Sequence, residues 1–356
     1  MNILDSPEEI KKLDSSNMIG SIQNLGKQLE VSYQEAKTVS LPSEYKNVKN
    51  IVISGMGGSG LGPHFIRSVF DISLPLQIVN DYKLPSFVDE ESLVIVSSYS
   101  GNTEETLSTL TDGVEKGAKV VGIASGGKLI EELKQRNLSF YQFDPNYNPC
   151  GQPRMGLGYS IGGILGLLNQ MGVVSLSDSD FTNTLAAIDK SSDFFSIEKA
   201  LSANPAKELA EKLRGRIPII LAGSFLAGNA HIFANQINEN GKTLSAYFLL
   251  PEANHHLLEG IKYPESLGKT VKVIFLETGL YDKKIQSRIS VTKDVLKNTD
   301  IEAVSYKIQS SDKVSAAFET LVFSSWASFY LAILEGNDPT PIPNIDYFKV
   351  ELAKFA

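Results

Sequence analysis

The chain has 356 residues, 42% hydrophobic and 21% charged, and its 33 Lys and Arg against 41 Asp and Glu give a formal net charge of -8. This composition excludes a low-complexity or disordered chain, and the acidic balance lacks the basic footprint that nucleic-acid and membrane-surface binders need. The single cysteine, Cys150, excludes an internal disulfide and fits a reducing compartment, so a cytoplasmic protein is expected.

In chain order, "MNILDSPEEIKKLDSS" shows no basic segment before an apolar run, so no signal peptide is expected. "NIVISGMG", "PLQIVND", "SLVIVSSYS", "AKVVGIAS" and "SFYQFD" then read as short apolar strands separated by amphipathic or turn-rich segments. Between them "NTEETLSTLTDGVEKGA" reads as a helix capped at Asn102 or Thr103, with Glu104 and Glu105 in its first turn. Near-continuous apolar strands alternating with helices imply a parallel sheet covered on both faces. "GYSIGGILGLLNQMGVV" (158–174) is the most apolar helix-like stretch, but Asn169 and Gln170 interrupt it. It falls short of the ~20 apolar residues a membrane span needs, so a buried or interface helix is expected.

The second half repeats the plan. "IPIILAGSFLAGNA" echoes "IVISGMGGSGLG", and "KTLSAYFLLPE", "TVKVIFLET" and "EAVSYKI" follow as strands. The expected fold class is α/β: two doubly wound parallel-sheet modules, residues 1–155 and 156–356, with a C-terminal helix after Pro343.

The first candidate site lies at the end of the first strand. Gly55–Gly60, "GMGGSG", fits G-x-G-x-x-G, and Asp81 closes the second strand about where a ribose-binding acid would stand. That pattern admits a dinucleotide, and equally glycines that only permit a tight turn. The third strand weighs against the dinucleotide. "SLVIVSSYSGNTEETL" places Ser97, Ser98, Ser100 and Thr103 just ahead of a helix, with Ser59 at the neighbouring strand end. Hydroxyls and free amides at a helix N-terminus suit a phosphate, although serine and threonine there also serve as plain caps.

"GMGGSGLG" with "SYSGNTEET" resembles the sugar isomerase (SIS) domain. The whole chain, with two such modules and "PEANHHLLEG" in the second, is similar to the bifunctional phosphoglucose/phosphomannose isomerases. The resemblance implies an aldose–ketose isomerase that passes through a cis-enediol(ate) and needs neither metal nor redox cofactor. It places the phosphate contacts on Ser59, Ser98, Ser100 and Thr103, and the loop approaching the sugar on Gly57 and Gly58.

Isomerisation requires ring opening, then a base that takes the C2 proton and returns it at C1, with a positive group near the developing oxyanion. By residue type alone, Glu239 in "QINENGK" reads as a solvated turn residue or a desolvated base; the resemblance makes it the catalytic base. Arg154 in "GQPRMG" reads as a domain-linking ion pair, and the resemblance makes it the enediolate stabiliser. Lys349 in "IDYFK" reads as a solvated charge on the last helix. The resemblance pairs it with His255 of "PEANHH" for ring opening, His256 standing where the family commonly has Asn. Adjacent histidines without a carboxylate at ligand spacing make a poor zinc site, and none is expected. His64 is expected near the first loop and His231 packed on its helix. Thr340 in "DPTP" is the nearest match to the threonine linked in the family to tolerance of both C2 epimers.

The resemblance further implies a homodimer in which the histidine crosses to the partner. The 158–174 stretch and Trp326 are candidate interface or core elements. Alternatives of other classes are a non-catalytic SIS sensor, an isomerase of another phosphosugar and, last, an NAD-dependent oxidoreductase.

Overall fold

The computed structural model describes residues 2–355. Helices α1 (Pro7–Leu13), α2 (Met18–Gln23) and α3 (Leu25–Ala36) precede the first alternation. This runs β1 (Asn50–Ser54), α4 (Gly57–Val69), β2 (Leu76–Val79), β3 (Ser92–Ser97), α5 (Glu104–Glu115), β4 (Lys119–Ala124), α6 (Gly127–Gln135) and β5 (Ser139–Gln142). Helices α7 (Leu157–Gln170), α8 (Asp178–Phe194) and α9 (Pro205–Leu213) follow. The second alternation is β6 (Ile217–Gly223), α10 (Ala227–Glu239), β7 (Ala246–Leu250), α11 (Leu257–Gly260), α12 (Leu267–Thr270), β8 (Val271–Glu277), α13 (Lys283–Lys297) and β9 (Glu302–Lys307). The long α14 (Lys313–Leu334) and the terminal α15 (Pro343–Leu352) complete the chain.

Each apolar run expected to be a strand is one, and all pairings are parallel. The strand orders are β2-β1-β3-β4-β5 and β7-β6-β8-β9, the doubly wound order and its four-stranded counterpart. In both, the chain reverses its direction of travel beside the first strand, which puts the ligand crevice at the carboxyl ends of β1 and β3, and of β6 and β8.

The central strands are buried on both faces, and alternate residues serve different cores. Ile51, Ile53, Leu93, Ile95, Val121 and Ile123 face a core that continues without a break into the second module. Val52, Val94, Val96 and Val120 face a separate outer core with Leu110 of α5 and Leu129 and Leu133 of α6.

The packing of α7 departs from the expected division at 155/156. The helix lies against α3, α4 and β4, all of the first module. Gly158, Gly162 and Gly166 form its contact seam, where a Cβ would meet the α3 backbone at Leu25, Leu29 and Tyr33. Only hydrogen at these positions lets the two helices approach so closely. The apolar 158–174 stretch is therefore a core helix of the first module. Helix α14 is apolar and long enough to cross a membrane, but it is wholly buried inside the fold. It packs on α8, α9 and α10, and its Trp326 is a core residue stacked on Tyr330.

Candidate active site

The first-module loop is built from its own hydroxyls. The chain turns through Gly57 at φ 49° into α4, where Ser59 is buried. Ser59 Oγ accepts from the Tyr99 amide at 2.8 Å, which pins the first turn of α4 to the β3–α5 loop. In that loop Ser98 Oγ accepts from the Gly101 amide at 3.1 Å and pairs with Thr103 Oγ1 at 2.8 Å. Ser100 Oγ, exposed, accepts from the Asn102 amide at 3.3 Å.

Thr103 occupies the N-cap position of α5 yet makes no side-chain cap bond. Its hydroxyl is turned to Ser98, and the first-turn amides of α5 keep the positive end of the helix open to an anion. Ser59 and Ser100, each used as an acceptor, retain a hydroxyl proton to donate. Asp81 is exposed, and its carboxylate accepts from the following amide of Tyr82.

Gly58 joins this loop to the rest of the site. A Cβ there would lie 2.6 Å from the Pro153 carbonyl carbon and 2.7 Å from the Arg154 nitrogen. The glycine loop therefore rests directly on the turn Pro153–Met155. Arg154 from that turn is 1% exposed and reaches across to the second module. Nε donates to Asn240 Oδ1 at 2.6 Å, and Nη2 to the Pro339 and Thr340 carbonyls at 3.1 and 2.8 Å. Nη1 donates to Gln152 Oε1 at 2.7 Å and, more loosely, to Glu239 Oε2 at 3.4 Å.

Glu239 ends α10, half-buried, with its carboxylate against that guanidinium. Burial pushes the carboxyl above its ordinary value, while the charges of Arg154, Lys242 and Lys349 pull the other way. For Arg154, burial likewise lowers the guanidinium's proton affinity and Glu239 opposes it. Lys349 of α15 is exposed, yet its charge is felt at Glu239.

Of the other sequence candidates, the histidines lie elsewhere. His255 and His256 are exposed on the segment between β7 and α11. Among the described residues, no hydrogen bond or ion pair joins His255 to Glu239, Arg154 or the hydroxyl loop. His64 and His231 pack on each other instead, ring centroids 4.6 Å apart, where α4 crosses α10. Thr340 is buried beside Arg154, and its hydroxyl has no partner among the described residues. No group of three His, Cys, Asp or Glu converges on a metal position among them.

Three participants escaped the sequence reading: Gln152, Asn240 and Lys242. Each stands within a quoted motif, "GQPRMG" or "QINENGK", but nothing local marks it. Their roles arise where residues near 153, 240 and 340 converge.

Two parallel-sheet modules, an open helix N-terminus ringed by hydroxyls and a carboxylate–arginine pair at their junction define a double-SIS sugar-phosphate protein. Residues 202–352 match the model of the bacterial phospho-glucose isomerase C-terminal SIS domain. The bifunctional phosphoglucose/phosphomannose isomerase of Caldicellulosiruptor bescii is 33% identical over 347 residues, 95% of this chain and 99% of that protein. The enzyme of the same description from Aquifex aeolicus is 30% identical over 338 residues, 94% of this chain and all of its own length. The chain belongs to this family of bifunctional phosphoglucose/phosphomannose isomerases. A hypothetical protein from Thermus thermophilus superposes with TM-score 0.75 at 16% identity, covering 98% of this chain and 93% of that one. That likeness speaks to the fold alone.

Proposed function

We propose that the chain interconverts glucose 6-phosphate and mannose 6-phosphate with fructose 6-phosphate through a cis-enediol(ate). One observation carries the reading. The glycine of the hydroxyl loop rests on the backbone of Arg154, and the side chain of the same arginine holds Glu239. A phosphate seat and a carboxylate base thus meet across one residue, as a phosphosugar with its reacting carbons a few bonds from the phosphate requires.

In this reading Ser59, Ser98, Ser100 and Thr103, with the α5 amides, bind the phosphate, and Gly57 and Gly58 let the backbone approach the sugar. His255 and Lys349 move the proton that opens the ring. Glu239 then takes the C2 proton and returns it at C1; a carboxyl raised by burial is a stronger base for that step. Arg154 stabilises the enediolate by its fixed charge. Its longest contact, to Glu239 at 3.4 Å, is the one most readily shared with a substrate oxygen.

Among the described residues of one chain His255 makes no hydrogen bond or ion pair with Glu239, so the proposal includes a cytoplasmic homodimer in which a second copy supplies it. The exposed Tyr347, Phe348 and Val350 of α15 support a covering partner. The test is a coupled assay of purified protein with both hexose 6-phosphates, in which turnover of each is expected. Turnover of neither overturns the reading. In parallel, 5-phosphoarabinonate should raise the melting temperature and NAD should not.

A further inference from the structure

Helix α15 has no buried residue, and Tyr347, Phe348 and Val350 are 69%, 61% and 62% exposed. Ten residues without a packed face do not hold a helix in place in water. Within one chain, where Lys349 stands therefore depends on how the chain enters the helix. That entry, residues 338–341, is a strap held from below by two cations. Arg154 Nη2 donates to the Pro339 and Thr340 carbonyls. Lys242 Nζ donates to the Pro339 carbonyl at 3.0 Å and to that of Pro341.

The same ammonium also donates to the backbone carbonyl of Glu239 at 2.6 Å. Three hydrogens meet three carbonyls from two elements, which saturates the group although Lys242 as a residue is exposed. Lys242 adopts φ 52°, in the left-handed region that favours glycine. An isolated lysine has no local reason to be there, but from that backbone its head reaches both the helix end and the strap.

We propose that Lys242 is a positioning residue for the isomerisation: it ties the strap that carries Lys349 to the end of α10 that carries Glu239. The inference rests on the isomerase reading of the site. The charged groups facing Lys242 are Arg154 from the turn before α7, Glu239 from α10 and Asp338 from the strap; on α15, Asp346 acts on Arg154 and Lys349 on Glu239. With Arg154 and Lys349, the Lys242 charge favours the ionised form of Glu239. Burial, and then the neighbouring Arg154, bring Lys242 itself down to about 8. Loss of its proton above that pH removes one hydrogen from the tie and one charge from the base.

The experiment compares the wild type with Lys242→Met and Lys242→Arg in kcat, KM, the pH profile of kcat/KM and melting temperature. Lys242→Met is expected to lower kcat about tenfold or more, with KM nearly unchanged because the phosphate loop is untouched. Its acid limb should move to higher pH, since Glu239 has lost a cation. Lys242→Arg should restore the acid limb and move the alkaline limb up from about 8, because a guanidinium keeps its proton there. A lower melting temperature with both limbs unmoved, or an unchanged kcat, overturns the inference while the isomerase reading stands. Should Lys242→Met fail to fold, an alkaline limb that does not move in Lys242→Arg overturns it. An inactive wild type overturns the isomerase reading, and this inference with it.

Discussion

At the scale of single residues, Glu239 and Arg154 are set against each other. Desolvation makes the carboxylate costly to ionise, and the adjacent guanidinium makes it less so. Burial leads, so the acid limb of kcat/KM should lie above the ordinary glutamate value of 4.5. Glu239→Gln keeps the shape and removes the base. It should lower kcat by about 10²–10⁴-fold, with 5-phosphoarabinonate still raising the melting temperature. Wild-type turnover in that variant would sink the assignment. Arg154→Lys tests a different property of the site. The guanidinium serves five acceptors from one plane, whereas an ammonium has three hydrogens on one atom. At least two buried acceptors lose their partner, a cost of about 3 kcal/mol, to be read as a lower urea midpoint at unchanged slope. A midpoint equal to the wild type's would show that the arginine holds neither strap nor turn.

At the scale of elements, the N-terminal turn of α4 is held between the β3–α5 loop and the Pro153–Met155 turn. Gly58→Ala puts a methyl 2.6–2.8 Å from three backbone atoms of Pro153 and Arg154, none of which can rotate away. The helix start must shift, carrying Ser59 off the Tyr99 amide. About tenfold weaker binding of 5-phosphoarabinonate is expected by calorimetry; unchanged binding would show that the loop tolerates the displacement. This kind of contact marks where sequence reading stops. The strands were legible because both faces of a parallel sheet are buried, which leaves runs such as Ile51–Ile53 and Leu93–Val96 almost wholly apolar. The hydroxyl loop was legible because its residues are contiguous. The home of α7 was not, because the glycine seam that ties it to α3 depends on a helix about 130 residues earlier. Nor were Asn240 and Lys242, whose ordinary residue types gain meaning from partners distant in sequence, nor Gln152, which matters only because its neighbour Arg154 reaches the second module.

At the scale of the molecule, the two modules share one continuous core, and besides the Arg154 contacts they are joined by the crossing of α4 and α10. Gly228 lies under the His64 carbonyl there, closely enough that a Cβ would stand 2.5 Å from it. Above this point His64 meets His231, which stacks on Tyr247 at 4.8 Å. His64 Nε2 and His231 Nδ1 have no hydrogen-bond partner among the described residues. A second positive charge in this seam would have no counterion. Burial first, then His231 and Arg67, lower His64 to about 4 from 6.5, and burial lowers His231 as well. The unfolded chain therefore binds protons that the folded chain refuses between those two values. Stability from this source is complete above pH 6.5 and is lost as the pH falls towards 4. For His64 the loss approaches about 3 kcal/mol once the pH is below both values. His64→Phe keeps an aromatic ring against His231 and removes the titration. Its melting temperature should fall less steeply than the wild type's over that range, the two curves diverging as the pH drops. Parallel curves would place the acid sensitivity of the module junction elsewhere.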